Sequence, residues 1–221
     1  MSRVVVKVGG AVSRDAAAHV LALVTAGHEC VVVHGGGPQI SAALEARGLD
    51  VSFHRGRRIT CEDAIGVVRE TLLAVNAQLC AAIGPRAVGL VGDEIGLRAL
   101  VVPELGLVGD PLPSRPRAIL DVLAAGRIPV VAPLAEGPLN VNADEAAAAL
   151  AVGLGAERLA FLSDVPGVLH DGLLASIGAD DADRLVGDGT FEGGIVPKLR
   201  AAVRAARGGV HTEIGETLVT A

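Results

Sequence analysis

Two kinds of segment alternate along the chain. Short, nearly unbroken apolar runs occupy residues 3–8 (RVVVKV), 29–34 (ECVVVH), 87–92 (AVGLVG), 127–134 (RIPVVAPL) and 158–165 (RLAFLSDV). Between them lie longer stretches whose apolar residues return every three or four positions, the period of a helix with one buried face. The short runs are rich in β-branched residues and apolar on both faces, as strands covered by helices on each side must be. Helical stretches are expected from Ser13 to Gly27, from Pro38 to Gly48, from just after Thr60 to Ile83, near 116–125, over 144–155, and after Gly193-Gly194. Their ends carry fitting punctuation: Ser13 as a cap, Gly27 and Gly48 as stops, Pro38 at a first helical position, Thr60 with Asp63 as a capping box. Residues 51–60 (VSFHRGRRIT), the Gly/Pro-rich region to Ser114 and residues 167–177 read as hairpins, and TLVTA as a last short strand. Strands separated by helices of ~10–15 residues specify an α/β fold with a mainly parallel sheet. The expected architecture is a three-layer αβα sandwich, with its ligand at the C-terminal ends of the strands. No linker or repeat divides the 221 residues, so one domain is expected.

Composition narrows this picture. Half the residues are hydrophobic, yet aromatics amount to 1%, namely Phe53, Phe161 and Phe191. The core must therefore be built from Val, Leu, Ile and Ala. The formal charge is -6, and basic residues cluster only at Arg55-Gly56-Arg57-Arg58. With no aromatics to stack bases, nucleic acid is excluded as a partner. No apolar run reaches the ~18 residues of a membrane span, and the immediate N-terminal strand leaves no room for a signal peptide. A cytoplasmic protein is expected. Cys30, Cys61 and Cys80 are odd in number and lack metal-ligand spacing, so they read as reduced and mostly core.

Lysine is the sharper signal. Of 19 basic residues only Lys7 and Lys198 are lysines, and Lys7 stands inside a valine run where lysine is rare. Gly9-Gly10 follows the first strand and Gly35-Gly36-Gly37 the second, just before Pro38 opens a helix. Glycines at a helix start let backbone N–H groups approach an anion, aided by the helix dipole. Two such turns on consecutive strands could hold one phosphoryl group from two sides, or be no more than tight turns. A Walker P-loop is absent, and a dinucleotide fingerprint starting at Gly35 fails because position 40 is Ile. Asn140 and Asn142 would share one face of an extended segment and could grip a polar ligand; Asp144 stands where a helix begins and could cap it. Asp164 ends an apolar strand, as a plain cap or as a group at the phosphate end of the sheet. Arg57 and Arg58 sit in a hairpin, where an arginine is ordinarily solvated, although a guanidinium fork can also grip a carboxylate. His34 is expected to pack or hydrogen-bond locally.

The strings KVGGA, VVVHGGGPQI, GRRIT, NVNADEAA, LSDVPGVL and GGIVPK occur in the order and approximate spacing of the amino acid kinase family. The resemblance covers about residues 3–208 and is closest to members that phosphorylate N-acetylglutamate in arginine synthesis. It implies that ATP phosphorylates a side-chain carboxylate, giving an acyl phosphate with no covalent enzyme intermediate. It implies Lys7 and Lys198 on the transferring phosphates, with Asp144 positioning both ammonium groups. Gly9, Gly10, Gly36 and Gly37 would surround the phosphoryl group with N–H donors. Arg58 would hold a substrate carboxylate, and Asn140 and Asn142 the acylated end. Ser163, Asp164, Val165, Gly167 and Leu169 would line the ATP side. Mg2+ would be held mainly by the nucleotide, without a dedicated protein ligand set. A lobe at about 1–140 would take the acyl substrate and one at about 141–221 the ATP.

The chain departs from the family after Gly209, where roughly twenty residues are missing relative to the usual pattern. It also lacks the N-terminal helix that links dimers into arginine-inhibited hexamers, so a homodimer without arginine feedback is expected. Two other readings stay open. One is an N-acetyl-2-aminoadipate kinase of lysine synthesis, because one methylene is worth only ~1–3 kcal/mol in a pocket. The other is a non-catalytic sensor on the same fold, against which both lysines and Asp144 stand.

Overall fold

The valine run at the N-terminus becomes the strand around which the molecule is organised. The structure, a computed structural model, describes residues 2–9, 14–162 and 166–221. Its first third contains β1 (Arg3–Val8), α1 (Arg14–Thr25), β2 (Glu29–His34), α2 (Gly37–Glu45), the hairpin β3 (Phe53–His54) and β4 (Arg57–Arg58), and α3 (Glu62–Ile83). Then come β5 (Ala87–Val91), β6 (Ala99–Val101), β7 (Val108–Pro111), α4 (Arg117–Ala124), β8 (Ile128–Ala132), β9 (Leu134–Ala135) and β10 (Leu139–Val141). The last part holds α5 (Ala143–Leu154), β11 (Arg158–Leu162), β12 (Ser176–Gly178), α6 (Ala179–Gly187), α7 (Ile195–Arg207), β13 (His211–Ile214) and β14 (Thr217–Thr220).

Eight strands form the main sheet in the order β12-β14-β13-β11-β1-β2-β8-β5. Every pairing in it is parallel except β13 with β14. β1 thus lies between β2 and β11: β2, β5 and β8 are added on one side of it, and β11 to β14 on the other. That is a topological switch point, where a crevice opens beyond the strands' C-terminal ends. A smaller sheet, β6-β7-β10-β9, stands beside the main one.

The alternation along β1 assigns its two faces. Val4, Val6 and Val8 pack with Ala16, Ala17 and Val20 of α1 and with Leu79 and Ile83 of α3. Val5 packs toward the opposite layer, with Ala146, Ala147, Ala148 and Leu150 of α5 and Leu199 of α7. Lys7 is in step with Val5, so its side chain leaves the sheet toward α5 and α7. Among the largest fully buried side chains Phe161 is the one aromatic and the rest are Leu and Ile; Val and Ala fill most of the remaining core, as the composition requires.

Several local expectations are corrected. α2 starts at Gly37, which puts Pro38 one position further in. Thr60 and Asp63 do not form a capping box: the N-cap of α3 is Cys61, without a side-chain bond, and Thr60 Oγ1 instead donates to the Arg58 carbonyl. Helix α6 and strand β13 were not expected from the sequence. The 167–177 hairpin reduces to an isolated bridge between Leu169 and Leu173, after which β12 pairs with β14. Of the three free cysteines Cys30 is buried, Cys80 half-buried and Cys61 exposed. The proposed cap at Ser13 lies outside the described residues. Helix α3 is, among the described residues, long and apolar enough by length and composition to cross a membrane. Here it is a core helix, burying Ala64, Val67, Val68, Leu72, Val75, Leu79 and Ile83 along one stripe while Arg69 and Glu70 stay outside.

Candidate active site

At the switch point the C-terminal ends of β1 and β2 lie side by side, with Gly9 just past one and Gly35 just past the other. The Gly35 N–H donates to the Val8 carbonyl at 3.0 Å, which pins the turn after β2 to the end of β1. Helix α2 then begins at Gly37, and its N-cap Gly36 has no side chain to occupy that end, as suits a helix start that faces an anion. Across the crevice, α5 begins where β10 ends. Asn142 is its N-cap, with Oδ1 accepting from the backbone N–H of Asp144 (2.9 Å) and Glu145 (3.2 Å). The cap therefore falls to Asn142 rather than to Asp144, whose carboxylate is left for another task.

That task is to hold both lysines. Asp144 Oδ1 lies 2.8 Å from Lys7 Nζ and 3.3 Å from Lys198 Nζ. Lys198 comes from α7, near the other end of the chain, and its ammonium group also lies 5.5 Å from the centre of the Phe161 ring. All three charged residues are buried: Lys7 is 8% exposed, Asp144 7% and Lys198 9%. Burial alone would push the Asp144 carboxyl pKa up, but the two ammonium groups outweigh it and hold it below the usual carboxylate range. Lys198 is pushed down by burial; Asp144 opposes the shift and Lys7 adds to it. Two cations share one anion here, so the cluster carries a net positive charge away from water. Such a charge is costly unless an anion completes it.

Lys7 and Asp144 form one wall of a cavity of about 280 Å3 that also takes in Gly36, Gly37, Arg58, Asn140 and Asn142. Arg58 is 6% exposed and not solvated. Its Nη2 donates to the Gly37 carbonyl (2.9 Å) and Ser41 Oγ (2.8 Å), and its guanidinium lies over the Phe53 ring at 4.6 Å. Its Nη1 is buried and has no hydrogen-bond partner among the described residues. An unpaired buried guanidinium nitrogen in a cavity wall is a place for an acceptor from a ligand. Burial also lowers the Arg58 pKa, with Glu45 opposing.

The two asparagines do not act as an equivalent pair. Asn140 donates from Nδ2 to Thr60 Oγ1 at 3.0 Å, while Asn142 is committed to the α5 cap and donates to the Gly56 carbonyl at 3.3 Å. Gly9 lies at the end of β1, two residues from Lys7. Gly167 and Leu169 stand apart from the cavity lining. A side chain at Gly167 would meet Thr217 Oγ1 at 2.5 Å, which accounts for that glycine by packing alone. Gly10, Ser163, Asp164 and Val165 lie outside the described residues. His34 is fully buried on the other face of the sheet, bonded to Asn76 and the Gly35 carbonyl, as expected. Two residues escaped the sequence reading. Arg57, whose hairpin position predicts a solvated side chain, is paired with Glu145 and Asp110, and nothing in the sequence singles out Glu145 for that pairing beyond its position beside Asp144 in a first helical turn.

Known proteins resemble this chain over most of its length. An acetylglutamate kinase from Nocardia farcinica (strain IFM 10152) is 44% identical over 237 residues, covering 95% of this chain and 78% of the relative. The alignment is longer than the chain itself, so the relative carries segments that this chain lacks. An acetylglutamate kinase from Rubrobacter xylanophilus (strain DSM 9941 / JCM 11954 / NBRC 16129 / PRD-1) is 43% identical, over 97% of this chain and 88% of its own. A solved structure, smu.665 from Streptococcus mutans UA159, superposes with a TM-score of 0.87 at 29% identity, over 99% of this chain and 98% of that one. A sequence profile of the amino acid kinase family matches residues 2–215. The chain belongs to the amino acid kinase family and is an ATP-using kinase.

Proposed function

We propose that this kinase transfers the γ-phosphoryl group of ATP to the side-chain carboxylate of N-acetyl-L-glutamate, a step of arginine biosynthesis. The observation that carries the reading is the buried Lys7–Asp144–Lys198 cluster, one positive charge in excess, set beside a cavity into which Arg58 turns an unpaired nitrogen. The names borne by the relatives support the choice of acceptor.

Phosphoryl transfer spreads negative charge over the equatorial oxygens, so catalysis is chiefly positioning and electrostatic stabilisation. Lys7 and Lys198 supply the positive charge. A compact ammonium group on a flexible stem follows a moving phosphoryl group better than a planar guanidinium does. Asp144 is the positioning residue that keeps both ammonium groups in reach. The N–H groups of Gly9, Gly10, Gly36 and Gly37 donate to the phosphoryl oxygens. Arg58 Nη1 takes the acceptor's other carboxylate, and Asn140 and Asn142 face its acylated end. The reacting carboxylate is already ionised, so one of its oxygens attacks phosphorus directly. An O–P bond forms to it, the bond to the β,γ-bridging oxygen breaks, and ADP leaves with those electrons. No general base is required.

In this reading residues 163–169, with Asp164 near the nucleotide, line the ATP side, and the acyl and ATP lobes divide near residue 140. Mg2+ would be held mainly by the nucleotide phosphates and would neutralise part of their charge. Asp144 Oδ1 is already shared by two ammonium groups, and among the described residues no three His, Cys, Asp or Glu side chains cluster. That donor set fits a metal held mainly by the phosphates. A homodimer in the cytoplasm completes the proposal.

The test is ADP release with N-acetylglutamate and N-acetyl-2-aminoadipate in parallel, for the wild type and for Lys198→Ala. N-acetylglutamate is expected to be the better acceptor, and the variant to lose turnover far more than acceptor binding. Nucleotide binding without ADP release from either acceptor would overturn the reading.

A further inference from the structure

The hairpin that presents Arg58 is held from behind by charge that the transfer step does not use. Arg57 of β4 donates to Glu145 Oε1 from Nε (3.0 Å) and from Nη2 (2.8 Å). Its Nη2 also lies 3.1 Å from Asp110 of β7, and Asp110 receives Arg204 of α7 at 2.8 Å. One network therefore ties β4, β7, α5 and α7 together. The inner pair is largely out of water, with side-chain exposures of 18% for Arg57 and 11% for Glu145. Attraction there is stronger than at the surface, and the guanidinium fork fixes direction as well as distance. Burial nonetheless raises the Glu145 pKa, Arg57 only partly opposing, and Glu145 Oε2 is buried without a partner among the described residues. A pair formed at that cost is a poor way to gain stability alone.

Its position gives it another use. Arg57 immediately precedes Arg58, and Glu145 immediately follows Asp144. The hairpin turn just before Arg57 is also pressed home. Gly56 has φ +81°, a side chain there would meet Pro197 Cγ at 2.8 Å, and Pro197 is the neighbour of Lys198. Behind the hairpin a second cavity of about 300 Å3, which Arg57 also lines, leaves room for it to swing back if released.

We infer that the Arg57–Glu145 ion pair is a positioning device that sets the span between Arg58 and the Asp144-held ammonium groups, and so selects the length of acceptor whose carboxylate reaches the phosphoryl group. The inference rests on the acceptor reading proposed above.

Glu145→Gln and the double variant Arg57→Leu/Glu145→Gln test it in the full chain, the double variant leaving no unpaired charge between the two positions. Both are expected to raise KM for N-acetylglutamate about tenfold while KM for ATP stays within about twofold. Discrimination between N-acetylglutamate and N-acetyl-2-aminoadipate should narrow severalfold, and the double variant should be no worse than about the single one. Unchanged acceptor KM and unchanged discrimination would overturn the inference. So would parallel losses in both KM values that track a fall in Tm, because a merely structural pair behaves that way. Amide hydrogen exchange over residues 53–58 reads the latch without any acceptor. Faster exchange in Glu145→Gln supports it and unchanged exchange refutes it, even if the wild type phosphorylates neither acceptor and the proposed substrate is wrong.

Discussion

Two buried polar groupings lie at the same ends of β1 and β2, on opposite faces of the sheet. On one face His34 has Nε2 3.1 Å from Asn76 Nδ2 and Nδ1 3.0 Å from the Gly35 carbonyl, while Asn76 Nδ2 also donates to the Val130 carbonyl at 2.9 Å. Cys80 Sγ donates to Asn76 Oδ1, 3.6 Å away. Burial lowers the His34 pKa, with the Gly35 bond opposing, so the group is neutral and its polar atoms are occupied. On the other face Lys7, Asp144 and Lys198 are buried with a charge left over. Both groupings obey the rule that buried polar atoms find partners, but only the second leaves something for a ligand to complete. Burial of polar groups does not distinguish a structural site from a chemical one. An unbalanced charge beside a cavity does.

Removing the shared carboxylate should produce the largest effect. Asp144→Asn strands two buried ammonium groups without a counter-charge, and ~3–5 kcal/mol of unfolding free energy should be lost in urea titrations, along with turnover. The same carboxylate makes the contrast pH-dependent. Its folded pKa is depressed, so its contribution is present above the ordinary carboxylate pKa and is lost as pH falls through the lower folded value. In Asp144→Asn that acid-side loss should be absent. Equal acid sensitivity in the wild type and the variant would detach Asp144 from the lysines.

Next in size is Lys7→Ala, which leaves one lysine facing one aspartate. Turnover should fall ~10²–10³-fold, while stability should change far less than in Asp144→Asn, because the remaining pair is neutral. Asn76→Ala should do the reverse. About 1–3 kcal/mol of stability is expected to go with the stranded partners, while kcat and both KM values stay within about twofold. A turnover loss in Asn76→Ala matching that of Lys7→Ala would erase the distinction between the two faces.

Sequence patterns made one face far more legible than the other. The valine strand, the glycine turns and the two surviving lysines are local, and they led directly to the switch point. The lysines' shared partner was legible through the resemblance of NVNADEAA. Arg57 and Glu145 were not, because 88 residues separate them and each alone reads as an ordinary hairpin or helix-start charge. Thr60 shows the same limit from the other side. Its spacing to Asp63 is that of a capping box, but Asn140, 80 residues away, donates to its hydroxyl. Helix α6 escaped notice because Asp180, Asp181 and Asp183 break up its short apolar stripe of Ala179, Ala182 and Leu185. Strand β13 was hidden because only Ile214 among its four residues is apolar: His211 and Glu213 alternate with the buried Thr212 and Ile214.

The smallest expected effect is a shift along the pH axis, and it tests whether the excess charge itself does the chemistry. Lys198 is pushed below the ordinary lysine value chiefly by burial, so in the free enzyme its cation is lost at a lower pH than a solvated lysine's would be. If that cation is needed, kcat/KM should fall on the alkaline side through the depressed pKa, since this ratio reports the free enzyme. Bound phosphates favour the cation, so the corresponding limb in kcat should lie at higher pH. Lys198→Arg, charged throughout, should lose activity through geometry but should also lose the alkaline limb. A limb that survives unchanged in Lys198→Arg would assign the titration to another group, and the buried positive charge would then be a matter of binding rather than of transfer.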